Sequence, residues 1–351
     1  MISRHMGIKR IAVMQRSVFL MGKLGPKELK AVIDCIRRSR PAVVPPRVGF
    51  DSGVHRITGD LCLVVSTDPC LGVPKSWFGW LLIHYAASDV AVFGVEPQYC
   101  TVNLLGPPGT PTRLFQTVMR KACRAAYELD MQIVAGHTGR YEGLDDFVGV
   151  CTAYGFTSLN EVMTPGDVKP GDSILCTKPL GLETLATFAQ IRRDLAKKLF
   201  GEFRAARLSR HFQFQSCVKE ALALSKISGV HAMHDAAEGG LVAALNEMAE
   251  ASSIGFSLDF TRIAIPREIH ALVQQFRLSA DELMSMSSTG TLIAALEPSA
   301  EKRVLRRLSR LKVPARIIGT FSKDKCRTIK DHLGERAFPG KARDPFRKIC
   351  L

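Results

Sequence analysis

Four apolar stretches recur through the first half of this chain, and each is closed by a polar signature. The signatures are Val48-Gly-Phe-Asp51-Ser-Gly-Val54, Val65-Ser-Thr-Asp68-Pro69, Ala87-Ser-Asp89-Val-Ala-Val-Phe-Gly94 and Ile133-Val-Ala-Gly136-His137-Thr138. Apolar runs of this length read as buried strands or helices, so the polar residues at their ends converge at one edge of a packed domain. Asp51, Asp68 and Asp89 gathered there imply a metal. Hard cations such as magnesium take oxygen ligands and keep part of their coordination for water and phosphates, so carboxylates beside Gly-rich turns suggest nucleotide chemistry.

The chain has 351 residues, 46% of them hydrophobic, which is enough for two packed domains. No uninterrupted apolar run reaches the length of a membrane span; the stretch Ile11 to Leu20 is broken by Arg16 and lacks a small-residue cleavage site. No membrane contact is expected, and the expected location is the cytoplasm. The ten cysteines form no Cys-x-x-Cys pair, and several sit in strand-like runs such as Leu61-Cys62-Leu63, so they read as reduced core residues.

The formal net charge of +15 is carried by the ends. Residues 1–47 hold eleven Lys and Arg against two acids, and residues 301–351 hold sixteen against five, which leaves the middle net negative. Neither end interleaves aromatic residues with its charges or carries a nucleic-acid motif, so the expectation is a solvated basic surface and no nucleic-acid partner.

An extension and one amphipathic helix occupy residues 1–47, the helix starting near Pro26 with apolar residues at 29, 32, 33 and 36. From 48 to 160 strands (near 61–66, 98–105, 132–135 and 147–156) alternate with helices (near 77–93 and 110–130), which makes one α/β unit. Two Pro-Gly turn signals between Met163 and Asp172 mark a connection. A second α/β unit over 170–325 opens with strand Ser173 to Thr177, continues with helices near 183–199 and 209–227, and leaves 326–351 as a basic tail. Its most informative segment is Met233-His234-Asp235-Ala-Ala-Glu238-Gly239-Gly240, where two glycines open a helix whose uncovered N–H groups favour an anion.

Taken together, Thr67-Asp68-Pro69, Ala87-Ser-Asp89 through Gly94-Val-Glu-Pro97, Gly136-His137-Thr138 and Met233 through Gly240 resemble the aminoimidazole ribonucleotide (AIR) synthetase, PurM-like, superfamily. The resemblance covers roughly residues 21–325. It implies a two-domain α/β (α+β) fold, with N-terminal domains pairing as a homodimer around a β-barrel-like core and a C-terminal α/β sandwich. It also implies ATP with Mg2+, and transfer of a phosphate to, or phosphate-activated dehydration of, an amide-like or related small-molecule oxygen, because phosphorylation turns that oxygen into a good leaving group.

On that resemblance Asp51, Asp68 and Asp89 are the metal candidates, with Asp68, Asp89 and His137 catalytic. ATP contacts fall on Asp51, Asp68, Asp89, Gly136, His137, Thr138, Asp235, Gly239 and Gly240. The pattern departs from the family at Phe50, at Ser52-Gly53, at Ser88, and at His137 where an acid is usual. An Asp at a strand or helix end also caps backbone N–H groups, and a lone His in a turn is often only hydrogen-bonded structure. Lys178 reads either as a phosphate contact or as an ordinary surface lysine.

Within the superfamily the resemblance leans to the hydrogenase expression/formation (HypE) branch and its archaeal-type paralogues. The purine enzyme is the alternative, weakened by Asp68-Pro-Cys-Leu-Gly72; selenophosphate synthetase would need a reactive Cys or selenocysteine with a nearby Lys in a Gly-rich N-terminal loop, and nothing before Asp51 supplies that. The end Arg347-Lys-Ile-Cys350-Leu351 is similar to a HypE tail whose terminal thiol carries the substrate and meets a protein partner, but Leu351 follows the Cys, and an apolar end also packs as an anchor. A non-catalytic nucleotide-binding regulator and an RNA-associated protein are the further alternatives.

Overall fold

The computed structural model describes residues 24–36, 42–332 and 334–351; the expected extension over residues 1–20 lies outside them. Helix α1 (Pro26–Ile33) starts where Pro26 presets the first turn, and the Gly25 N–H donates to Glu28 at 3.2 Å. It buries none of its own residues.

The first unit is a five-stranded sheet ordered β1-β2-β5-β3-β4. Its strands are β1 (Gly53–Thr58), β2 (Leu61–Cys70), β3 (Tyr99–Gly106), β4 (Gln132–Arg140) and β5 (Val148–Ser158). Neighbours run antiparallel except β3 and β4, which are parallel. Along β2 the period of two turns Cys62, Val64, Ser66 and Cys70 inward, while Leu63, Val65 and Thr67 face out. Helices α2 (Phe78–Ala91) and α3 (Thr112–Glu128) bear most of the apolar residues packed with this inner face. Helix α2 is apolar nearly all round and is buried along most of its length, which carries Ser88 and Asp89 into the interior. The sheet is open, with no closed barrel among the described residues.

The second unit is a seven-stranded sheet ordered β12-β11-β8-β10-β6-β9-β7. Its strands are β6 (Ser173–Thr177), β7 (Val230–Asp235), β8 (Gly255–Asp259), β9 (Leu292–Leu296), β10 (Ala315–Ser322), β11 (Arg327–Asp331) and β12 (Gly334–Ala337). Every residue of β6 and β9 is buried, as expected of strands covered on both faces. Helix α8 (Gly240–Ser252) packs Leu241, Leu245 and Met248 into one apolar cluster with Phe256 and Phe321. Helices α7 (Val218–Ser225) and α11 (Glu301–Arg310) place Val218, Leu224, Val304 and Leu308 in the same cluster as α2, so the two units share a core. A third cluster joins α4 (Leu182–Ile191), α5 (Arg193–Phe200), α6 (Glu202–Leu208), α9 (Arg267–Phe276), the short α10 (Ala280–Met284) through Leu283, and the terminal α12 (Phe346–Cys350).

Four details differ from the sequence reading. Strand β1 was not expected, because His55, Arg56 and Thr58 interrupt its apolar pattern. The segment Gly136-His137-Thr138 is not a turn: β4 continues through it, paired to β3, and a β-carbon on Gly136 would lie 2.1 Å from the Val102 carbonyl oxygen. The helix expected over 183–199 breaks at Arg192, and the next one ends at Gly201, whose φ of 80° no L side chain adopts easily. The second unit also runs past residue 325, since the strands β11 and β12 of its sheet and the helix α12 lie in the stretch expected as a basic tail.

Candidate active site

Four carboxylates meet where the units join. Asp51 lies in the turn before β1, Asp68 near the end of β2, Asp89 near the end of α2 and Asp235 at the end of β7. Burial pushes the Asp89 carboxyl well above the usual carboxylate range, and the negative charges of Asp68, Asp51 and Asp235 push it the same way. The Ser66 hydroxyl opposes them by donating to Asp89 Oδ2 at 2.7 Å. Ser52 Oγ donates to the Asp89 carbonyl at 2.9 Å, which fixes the Asp51 turn against α2.

His234 is the cation of this group. Its Nδ1 lies 3.5 Å from Asp51 Oδ2 and 3.8 Å from Asp235 Oδ1, and its Nε2 lies 3.0 Å from Glu247 Oε2. Burial works against its charge, but Asp51, Asp235 and Glu247 outweigh it and hold the ring protonated well above its usual range.

The donor set fits magnesium. Asp51, His234 and Asp235 each offer an atom, and the three atoms lie within 4.8 Å of one another. An imidazole must be neutral to bind a metal. The carboxylates of Asp51 and Asp235, with Asp68 and Asp89 beside them, are the oxygen ligands a hard cation takes, and His234, drawn toward its charged form by the same acids, competes with such a cation for them.

The structure separates the other expected residues from this cluster. Gly136 pairs with Val102, Val102 with Cys151 and Cys151 with Asp68, so the Gly136-His137-Thr138 segment stands three strands from Asp68, about 14 Å. His137 is exposed on the sheet edge and hydrogen-bonds the Tyr141 hydroxyl. Gly239 and Gly240 do open α8, but the Gly239 N–H already donates to Asp344 Oδ2 at 3.0 Å, and Ser287 Oγ donates to the same oxygen at 2.5 Å.

Lys178 is neither a phosphate contact nor a surface residue. It is buried, its Nζ lies 2.5 Å from Glu220 Oε1, and it donates to the carbonyls of Phe214, Ser216 and Gly290 at 3.2, 2.6 and 2.8 Å. It braces the segment that also holds His84, whose Nδ1 lies 2.7 Å from Ser216 Oγ under a stacked Trp80. Burial, helped by the Lys178 charge, pushes His84 down to about 3, so it is neutral. Ser66 and Glu247 belong to the site and were not read from the sequence; only Glu247 left a signal, as a charge interrupting the apolar face of α8.

Two families match along this chain: AIR synthase related protein, N-terminal domain, over residues 49–157, and AIR synthase related protein, C-terminal domain, over 169–331. The chain belongs to the AIR synthase related family. Relatives of this family carry enzyme names. A putative hydrogenase expression/formation protein of Methanocaldococcus jannaschii is 25% identical over 79% of this AIR synthase related chain and 80% of its own length. The carbamoyl dehydratase HypE of Cupriavidus necator is 26% identical over 71% and 69%, and the selenide, water dikinase of Myxococcus xanthus 26% over 76% and 74%. Among solved structures, E. coli HypE, a hydrogenase maturation protein, superposes with a TM-score of 0.70 at 24% identity, covering 82% of this chain and 88% of its own. HypE in complex with ATP gives 0.68 at 21% over 86% and 90%, and AaThiL complexed with AMPPCP and TMP gives 0.69 at 18% over 92% and 97%. The two-domain PurM-like fold is thereby established.

Proposed function

We propose that this AIR synthase related chain uses ATP and Mg2+ to phosphorylate, or to dehydrate through phosphorylation, the oxygen of an amide-like small molecule. The observation that carries the reading is the meeting of Asp51, Asp68, Asp89 and Asp235, four carboxylates whose mutual repulsion a divalent cation would relieve. Relatives of the same fold were crystallised with ATP and with AMPPCP, which supports a nucleotide here. Bound there, Mg2+ would neutralise charge on the transferring phosphoryl group.

The chain's own residues divide the remaining work. Ser66 and Ser52 orient Asp89, and Glu247 holds His234 beside Asp51. We route no step through Cys350, because its thiol is buried and 3.6 Å from the Thr184 carbonyl. A free small molecule is therefore the substrate we favour over a tail-borne one.

A homodimer is part of the same reading. The outer face of the first sheet presents Leu63, Val65, Val150, Tyr154 and Phe156 half-buried with no layer of this chain described over it, and pairing two such faces would cover them. The free thiols of all ten cysteines agree with a reducing, cytoplasmic setting.

Calorimetric titration of ATP with and without magnesium tests the site, followed by assays of ADP and phosphate release with amide and carbamoyl acceptors. Magnesium-dependent binding that Asp68→Asn abolishes supports the site. Binding without turnover on any acceptor would favour a nucleotide-binding regulator, and binding indifferent to magnesium would sink the metal assignment.

A further inference from the structure

Helix α11 carries a surface charge that its folding does not require. Lys302, Arg303, Arg306, Arg307 and Arg310 are all exposed along it, and Lys312 and Arg316 continue the series into β10. Among the described residues none of Lys302, Arg306, Arg307, Arg310, Lys312 and Arg316 makes an ion pair. Arg303 only donates to the Ser228 carbonyl at 2.9 Å, and the one acid of the helix, Glu301, is engaged with Ser173 at 2.5 Å. Some surface cations elsewhere do find acids, as in Lys75–Asp146 at 2.7 Å, Arg204–Glu268 at 2.6 Å and Arg327–Glu250 at 2.9 Å, but α11 is where unpaired ones gather on one helix face.

Local energetics work against such a helix. Lys302 and Arg303 stand in its first turn, where the positive end of the helix dipole repels cations. The pairs Lys302/Arg306, Arg303/Arg307 and Arg306/Arg310 put like charges four residues apart, each costing about 0.2–0.5 kcal/mol. Only Arg307 and Arg310, in the last turn, gain from the dipole. Packing explains Val304 and Leu308 and nothing of the outward face.

We propose that the exposed face of α11 is a docking surface for the phosphate backbone of double-stranded RNA. The charge density decides for a nucleic acid. From Lys302 to Arg310 the helix rises about 12 Å, so its five cations are spaced about 3 Å apart along the axis, the same order as the one phosphate per about 1.7 Å of a DNA duplex. Four of the five are arginines, whose planar forks suit phosphate oxygens. The shape then decides among nucleic acids. The series contains no aromatic residue on which an unpaired base could stack, which argues against single strands. Helix α11 is seated on its unit through the buried Val304 and Leu308, so it offers a side rather than an end to a partner. A flat basic face meets the backbone phosphates that flank the wide, shallow minor groove of an A-form duplex. This departs from the expectation that the basic ends take no nucleic acid.

The test is fluorescence anisotropy of the full chain with a labelled duplex RNA, an equivalent duplex DNA and a polyglutamate peptide, each titrated over a range of salt. Expected is RNA binding whose log K falls with log salt at a slope near −4, for about four to five phosphate contacts. Arg306→Glu with Arg310→Glu should weaken it at least tenfold and flatten the slope by about 2, while magnesium-dependent ATP binding stays at the parental value. Absence of binding at low salt, or binding unchanged in the double variant, overturns the proposal. Equal affinity for DNA overturns the RNA assignment, and tighter binding of polyglutamate makes the surface one for an acidic protein.

Discussion

The carboxylate of Asp344 caps α8 from 105 residues away, with Oδ2 accepting the Gly239 N–H at 3.0 Å. Its other oxygen accepts the Phe346 N–H at 2.9 Å and so starts α12, which makes one side chain the hinge between a helix N-terminus and the chain's end. A capping carboxylate is worth about 1 kcal/mol. Asp344→Ala should therefore lower the denaturant midpoint by about that amount of stability, and Asp344→Asn, which keeps an acceptor oxygen, by less. Equal losses in the two variants would show that charge rather than the acceptor matters.

Close to this cap, Glu183 gives the protein a pH dependence of known sign. Burial raises its carboxyl from the ordinary 4.5 to about 7, and the charges of Asp344 and Glu238 add to the rise against two hydrogen bonds from Thr289, the N–H at 3.1 Å and the hydroxyl at 2.6 Å. A carboxyl raised on folding favours the folded state while protonated. Its contribution is complete below about pH 4.5 and is lost as pH climbs through 7. Glu183→Gln cannot ionise, so the difference in melting temperature between variant and parent should grow between pH 4.5 and about 7 and then level off. A difference that stays constant over that window would place the Glu183 proton elsewhere.

Asp89 sets stability against function. Its charge is opposed by burial and by three neighbouring carboxylates, so Asp89→Asn should raise the melting temperature of the metal-free protein near pH 7.5. The same substitution removes an oxygen ligand and should abolish the magnesium dependence of ATP binding. A variant that melts lower, with magnesium dependence intact, would mean that Asp89 is a structural acceptor for Ser66 and nothing more.

What was legible in the sequence follows from how locally each feature is determined. Strand β6 came out at its observed bounds because Ser173 to Thr177 is an apolar run between turn signals, and Asp68 and Asp89 could be grouped because each closes such a run. Gly136 misled for the same reason: a glycine beside polar residues reads as a turn, whereas here it permits close approach to the Val102 carbonyl across the sheet. Lys178 was unreadable, since it sits in the loop after β6 while its partner Glu220 lies on α7, and only the fold brings the two together. Glu247 reaches His234 from another element in the same way.

The final residues decide whether the chain end is a carrier or an anchor, and thiol chemistry can tell which. Ile349 and Cys350 are buried in the cluster that contains Leu185, Phe188, Ile269 and Leu272. Burial raises the Cys350 thiol above its ordinary range, with the charges of Glu183 and Asp344 acting the same way, so it holds little of the reactive thiolate. Cys123 and Cys326, in contrast, are exposed. Brief iodoacetamide treatment of the native protein, read by peptide mass spectrometry, should label Cys123 and Cys326 and spare Cys350 until denaturant is added. Asp344→Ala, which unties the start of α12, should speed Cys350 labelling several-fold without changing that of Cys123. Prompt labelling of Cys350 in the parent would mean that the end leaves its pocket readily, and would reopen the tail-borne substrate that the packed structure argues against.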